Sequence, residues 1–405
     1  MGVSRTQVLA THSLPHERQP PECDVVVIGA GPAGLLTARR LATRGHRVVV
    51  LEEHDQIGAP VHCTGVLGLD AFDELGLSRR AIVGMAQAAR FVAPNGTSVV
   101  VDDPGVRAAV VDRERFDCDL ARDAIDAGAD VRAGQRVATL EPGPNAVSVT
   151  TSRGRLAARA AVVACGASYR FNRALGFGVP SVLLHSAQLE VPFPALEHVQ
   201  VHFGRRIAPG GFGWIVPFSR DDVSFARIGL LCDRDAGAAF RGFAAAIRSE
   251  YRLRDPWPEP RLKALPLAPV DRTWTDRIVA VGDAAGLVKP TTGGGIYYGL
   301  LTGHLAADVL SEALTAGEPT GSRLKEYERR WRARLGPEIR AGLAFRAVAA
   351  KLSDAAIDRL LELTRVDGIV PLLRQTADFN WHRTAARALL RHAEFRKIVV
   401  GAIFQ

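Results

Sequence analysis

The clearest regularity along the chain is a change in the spacing of its apolar positions. Val25 to Ile28 form an unbroken apolar run. A run without polar alternation predicts a strand covered on both faces, as in a parallel sheet. Leu35 to Arg44 then reads as a helix stopped by Gly45, and Arg47 to Leu51 as a second strand. Residues 90–101 read as a hairpin around Pro94-Asn95-Gly96. Asp112 sits at a helix start, with Phe116, Leu120 and Ile125 at roughly helical spacing and Gly128 as the stop. Further strands are expected around Val137, over Val147–Thr150, Ala161–Ala164 and Asp276–Val281. From about Val182 to Leu231 the apolar positions recur at period two, in LLHSAQLEVPF, HVQVHFG, GGFGWIVPFS and VSFARIGLL, which predicts an antiparallel sheet. Arg241–Leu253 is expected to be a short helix on its edge. Past Pro319 the pattern is helical, with Tyr327, Trp331 and Leu335 in register.

Three glycines follow the first strand, in GAGPAG. Gly29 allows a tight turn, Gly31 lets backbone approach a pyrophosphate, and Gly34 lets the next helix pack close. The helix N-terminus around Ala33 offers free N–H groups to phosphate. Glu52 closes the second strand, where a carboxylate can take both hydroxyls of an adenosine ribose. This is a dinucleotide site, and a second glycine-rich segment decides which dinucleotide. Gly282-Asp283 follows the late strand, so that Asp283 can accept from ribityl hydroxyls. Gly294 and Gly295 precede a helix starting at Ile296, where their N–H groups stabilise charge on a reduced flavin's pyrimidine edge. NAD has no such edge, so the cofactor is FAD. Arg113 is placed to meet its phosphates or the solvent.

The fold class is therefore α/β, or α+β overall. A Rossmann-like FAD-binding domain over 23–88, 105–168 and 265–320 is interleaved with a β-rich substrate domain over 89–104 and 169–264. Residues 1–22 form a disordered tail, and 321–405 a helical region.

With 405 residues and 47% hydrophobic content, the chain can bury a large core, yet no apolar run reaches the roughly 18 residues of a spanning helix. Cys23, Cys63, Cys118, Cys165 and Cys232 are widely spaced, against a structural zinc or a disulfide framework and in favour of a reducing cytoplasm. From Ser322 onward there are 17 Lys and Arg against 9 Asp and Glu, an excess equal to the net charge of +8 for the whole chain. Arg-rich solvated helices explain this, as does attraction to a diphosphate or to an anionic membrane surface, which would place the protein peripherally on the inner face. Nucleic acid is disfavoured, because the basic residues are scattered. IGAPVHCTGVLG, with four glycines and prolines in twelve residues, reads as a shaped loop, and in an FAD fold of this type such a loop is expected to return toward the flavin ring, bringing His62 and Cys63 with it. A thiol there can donate a proton or exchange electrons, although a buried cysteine is often inert.

GAGPAG, Glu52, IGAPVHCTG, VDRERFD, GGFGWIVP, VGDAAG and PTTGGGIYYGLLTG occur in the order and spacing of the geranylgeranyl reductase family, which the chain resembles over roughly residues 24–400. The resemblance implies a hydroxylase-type FAD fold that saturates isolated C=C bonds of polyprenyl chains, with a cysteine at position 63 near the flavin. It implies a prenyl diphosphate, prenyl quinone or isoprenoid lipid as substrate, and NADPH, ferredoxin or a quinol as electron donor. The family's substrate motif, Y-x-W-x-F-P followed by G-x-G, here reads Phe212-Gly213-Trp214-Ile215-Val216-Pro217, then Arg227-Ile228-Gly229, with three positions replaced. Phe212, Trp214, Val216, Pro217 and Phe218 are thereby expected to bind substrate, and Cys63 or His62 to supply the proton. An aromatic hydroxylase usually carries Asp-Gly where this chain has Cys165-Gly166, and a halogenase needs a lysine downstream of the glycine motif, whereas the first lysine here is Lys263. A monooxygenase and a non-catalytic prenyl-lipid carrier are the competing readings.

Overall fold

The first apolar run forms the strand Cys23–Ile28, which pairs in parallel with Val48–Leu51 on one side and Gly154–Val163 on the other. The computed structural model describes residues 21–102, 108–366 and 368–403; the expected tail, 1–22, lies outside the described residues except for Pro21 and Glu22. The parallel sheet extends to Asp130–Arg132 at one end and Ile278–Ala280 at the other. Val25, Val26 and Val27 have no exposed surface, and this burial on both faces is why the run lacks alternation. The strand expected over Asp276–Val281 is shorter. Asp276-Arg277 turns Trp274–Thr275 back onto Ile278–Ala280, with Arg277 at φ 65°. The Arg277 guanidinium donates to the Pro144 carbonyl at 2.6 Å, tying the turn to the sheet.

The helices Pro32–Thr43 and Ile296–Thr315 cross at small residues. A Cβ on Gly303 would stand 2.5 Å from the Ala33 carbonyl oxygen, and one on Gly299 3.5 Å from the Ala33 Cβ. Close crossing brings two helix N-termini, from opposite ends of the sequence, to one side of the sheet. Helix Arg113–Asp126 packs beside them. Its cap is Asp112, which accepts from Arg115 N at 3.1 Å. Phe116 and Leu120 are buried as expected, but Ile125 is exposed and Ala124 faces the core instead.

The period-two segments form a seven-stranded sheet in the order Arg261–Pro266, Leu183–Pro192, Val223–Cys232, Phe212–Arg220, Val199–His202, Ala88–Val92 and Ser98–Asp102. It is antiparallel except where Val199–His202 meets Ala88–Val92. The hairpin around Pro94-Asn95-Gly96 supplies its last two strands. One face packs on the helix Ala236–Tyr251, which starts earlier than the expected Arg241 because Asp235 caps it, accepting from Ala238 N at 3.0 Å. Ile215, Ile228 and Leu230 meet Phe240, Phe243 and Ile247 there. The other face turns toward the parallel sheet.

Two further features depart from the sequence reading. Phe171, Leu175 and Phe177, in a segment assigned to the β-rich domain, join the core of the parallel sheet instead. An unexpected three-stranded sheet of Val66–Gly68, Ala108–Val111 and Ile82–Ala86 bridges the two large ones. The C-terminal helices are Gly321–Ala349, Asp354–Val366, Ile369–Thr376, Arg383–Arg391 and Ala393–Ile403. Tyr327, Trp331 and Leu335 are buried, and the Tyr327 hydroxyl donates to the Ala280 carbonyl at 2.8 Å. Among the described residues, no helix is long and apolar enough to cross a membrane.

Candidate active site

A cavity of about 540 Å³ lies between the two large sheets, and most of the residues singled out in the sequence line it. Gly29, Gly31, Ala33 and Glu52 stand on it, as do Gly282, Asp283, Gly294, Gly295 and Ile296, then His62, Cys63 and Arg113, then Phe212, Trp214 and Val216. Gly34, Pro217 and Phe218 do not.

The three glycines of the first turn answer to different constraints. Gly29 has φ 106°, and a Cβ there would stand 2.4 Å from the Ala164 carbonyl oxygen. A Cβ on Gly34 would stand 2.2 Å from the Gly29 oxygen, so this glycine serves packing. A Cβ on Gly31 would meet nothing within 4 Å. The space beside Gly31 is thus left by the protein at a helix N-terminus whose first turn holds no acidic residue. Glu52 Oε2 accepts from Ala30 N at 2.8 Å and Oε1 from His54 N at 3.0 Å, which fixes the carboxylate over the same turn. At the second helix N-terminus, Gly282 N donates to Thr302 Oγ1 at 3.2 Å and the Asp283 carbonyl accepts from the Tyr169 hydroxyl at 3.0 Å. The Asp283 carboxylate stands 3.5 Å from Lys263 Nζ. An open cradle, two carboxylates and two helix N-termini along one cavity fit the adenosine, diphosphate, ribityl and ring portions of FAD.

Cys63 lies farther along the cavity. Its sulfur accepts from Gly65 N at 3.4 Å and is reached by the guanidinium of Arg113. Arg113 is also bound to Asp117 through Nε at 3.1 Å and Nη2 at 2.8 Å, so its place is beneath Cys63 and it is not free for phosphate alone. Buried Arg227 steadies the loop, donating from Nη1 to the Thr64 carbonyl at 2.8 Å and the Val111 carbonyl at 2.9 Å. Burial, with Lys263 and Arg261 nearby, pushes His62 down to about 4. The imidazole is neutral at neutral pH, and among the described residues its Nδ1 is buried without a partner, so His62 is poorly suited to donate a proton. Tyr297 donates to Glu74 at 2.6 Å, and burial raises its hydroxyl above the ordinary tyrosine range.

On the strand Phe212–Arg220, Phe212, Trp214 and Val216 face the cavity, and Ile215 faces the opposite core. Gly229, opposite Trp214, leaves room for the indole: a Cβ there would stand 2.5 Å from its ring. Phe218 keeps the same parity but lies past the end of the cavity, stacked on Phe225 at 5.6 Å and covered by Arg227 at 4.6 Å. Pro217 and Phe218 therefore lie off the cavity on which the sequence reading placed them.

Several lining residues went unread in the sequence. Lys289, fully buried, donates to the Phe379 carbonyl at 2.8 Å and stands 4.1 Å from the centre of its ring. Burial pushes its amine down to about 7, against the pull of Asp378 and Asp70. His382 shares a hydrogen bond with Thr291 Oγ1 at 2.5 Å, and Trp381 packs edge-on against Tyr297. Residues 378–382, DFNWH, thus grip the PTTGGG turn and close the cavity from the C-terminal region. A cluster of aromatic and polar residues in an Ala- and Arg-rich tail was the available clue. Ser186 and Gln188, also on the cavity, left none.

The family model described as FAD binding domain matches residues 22–176. Digeranylgeranylglycerophospholipid reductase 2 of Methanothermobacter thermautotrophicus is 31% identical over 353 residues, covering 84% of this chain and 90% of that protein. Digeranylgeranylglycerophospholipid reductase of Methanocaldococcus jannaschii is 29% identical, covering 85% and 92%. Among solved structures, a geranylgeranyl bacteriochlorophyll reductase-like protein of Thermoplasma acidophilum has a TM-score of 0.81 at 21% identity, over 94% of this chain and 99% of that one. A mutant of halogenase PltM in complex with FAD reaches 0.66 at 17% identity, over 94% and 85%, a likeness of fold alone. With the cradle described above, these similarities define a FAD-dependent oxidoreductase, which removes the carrier reading. Within that class the chain belongs to the geranylgeranyl reductase family.

Proposed function

We propose that the protein saturates isolated C=C bonds of a polyprenyl chain carried by an isoprenoid lipid, a prenyl diphosphate or a prenyl quinone. The observation that carries this reading is continuity: one cavity joins the dinucleotide cradle to the apolar wall of Phe212, Trp214 and Val216, with Cys63 between them. The two reductases from Methanothermobacter and Methanocaldococcus, named for a digeranylgeranyl lipid, support it.

An isolated alkene offers no carbonyl to polarise, so positioning and exclusion of water must do most of the work. Reduced FAD, when bound, supplies the hydride. Gly29, Gly31, Ala33 and Glu52 would hold its adenosine diphosphate end, Gly282 and Asp283 its ribityl chain, and Gly294, Gly295 and Ile296 its pyrimidine edge. Trp214, Phe212 and Val216 would hold the alkene dry. The Cys63 thiol would hold the proton for the second carbon. The helix Arg383–Arg391 buries no residue and exposes Arg387, Leu390 and Arg391, which suits contact with the anionic surface from which such a lipid would come.

The test is anaerobic incubation of chemically reduced holoprotein with prenyl diphosphates, prenyl quinones and ether lipids, read by mass. A gain of H₂ per double bond is expected for at least one class. No gain with any of them, from protein whose FAD reduces fully, would refute the reading.

A further inference from the structure

Two polar side chains interrupt the apolar wall. Ser186 and Gln188 stand two residues apart on the strand Leu183–Pro192, both on the cavity, and are 6% and 8% exposed. The Gln188 amide can be oriented without ambiguity. Its Oε1 lies 3.3 Å from Trp214 Nε1 and 2.8 Å from Thr64 Oγ1. An indole N–H can only donate, so the atom facing it must be the oxygen. Nε2 is thereby fixed on the far side. Among the described residues neither Nε2 of Gln188 nor Oγ of Ser186 has a hydrogen-bond partner.

Neither atom is among the fully enclosed unpaired ones, so both donors open onto the cavity, where a bound group can accept from them. Here two stand together, beside the loop that carries Cys63. Both are neutral, and Lys263, opposite Ser186 in strand register, is engaged with Asp283 at 3.5 Å. Neutral donors set among Trp214, Val216 and Leu231 suit an uncharged oxygen better than a phosphate.

We propose that Ser186 and Gln188 form a polar anchor that donates hydrogen bonds to an uncharged oxygen acceptor entering the apolar end of the cavity. That acceptor is a carbonyl of the bound FAD ring or an oxygen at the head of the prenyl chain. Only the second source rests on the function proposed above.

Holoprotein carrying Gln188→Glu or Gln188→Leu separates the cases. Glu keeps an acceptor for Trp214 and Thr64 but loses the amide donor, and Leu loses both. Two quantities are measured against the wild type. One is the midpoint potential of bound FAD without lipid; the other is the efficiency of anaerobic reduction of geranylgeranyl methyl ether relative to its analogue with CH₂ in place of oxygen. If the flavin carbonyl is the acceptor, both variants shift the potential by about 30 mV, the two-electron equivalent of a tenfold change in the binding ratio. If the lipid oxygen is the acceptor, the potential stays and both variants lose about tenfold of the preference for the ether. Wild-type values of both quantities in both variants would overturn the anchor. So would an effect in Gln188→Leu alone, which would assign Gln188 to holding Trp214 and Thr64. Failure of the wild type to reduce either probe would count against the proposed function, while the potential would still report on the anchor.

Discussion

Replacing Lys289 by Met should remove most of the rise in stability that the wild-type protein shows between neutral and alkaline pH. The amine is enclosed, with the Phe379 carbonyl and ring on one side and Asp378, Asp70 and His382 as its charged or titratable neighbours. Burial disfavours the ammonium in the folded chain, lowering its pKa from 10.5 to about 7. Between those values the unfolded chain holds a proton that the folded one has released, so stability rises with pH through this window. Below it both states are protonated and the full cost of burying the charge is felt; above it the cost is gone. At about 1.4 kcal/mol for each pH unit, the fall to about 7 comes to about 5 kcal/mol at most. Lys289→Met has a similar length and no charge to bury, so it should exceed the wild type in stability near pH 6.5 and lose that advantage by pH 10. Urea unfolding of both holoproteins across this range measures the difference directly. Curves that stay parallel from pH 6.5 to 10 would refute the reasoning, because other titrating groups are common to both proteins.

The two neighbouring glycines of the dinucleotide turn should fail in opposite ways. Gly31→Glu should fold normally yet purify without yellow cofactor, whereas Gly34→Val, whose Cβ would stand 2.2 Å from the Gly29 oxygen, should lose about 3 kcal/mol of stability in urea unfolding. Cys63→Ala should keep the flavin spectrum and lose about a hundredfold in single-turnover alkene reduction; unchanged turnover would reduce Cys63 to packing. Co-sedimentation with vesicles should require anionic lipid and fade with salt, and charge reversal at Arg387 and Arg391 should weaken it; binding insensitive to salt would exclude the basic helices as the contact.

The dinucleotide half of the cavity was legible because backbone geometry admits few residues there. Only glycine survives at Gly29 and Gly34, and the spacing to Glu52 is set by one helix and two strands. The apolar wall was legible in phase but not in extent. Period two puts Phe212, Trp214 and Val216 on one face, but nothing in it says that Arg227 and Phe225 end the cavity before Phe218. Ser186 and Gln188 were invisible for the complementary reason, since polar residues at period two read as a solvated face until a second layer is known to cover them. Lys289 and the segment from Asp378 to His382 meet only through tertiary packing. Their separation of about ninety residues carries no local pattern.

The cavity is assembled from distant parts of the chain, and that has a consequence for biosynthesis. The nucleotide turn leaves the ribosome about 250 residues before the strand Ile278–Ala280 of the same sheet and about 350 before the DFNWH closure. A nascent chain would therefore expose a greasy half-chamber until those segments are made. Flavin capture must then wait for the DFNWH segment, and truncation ahead of Asp378 would leave the pocket unsealed even with every glycine of the first turn intact.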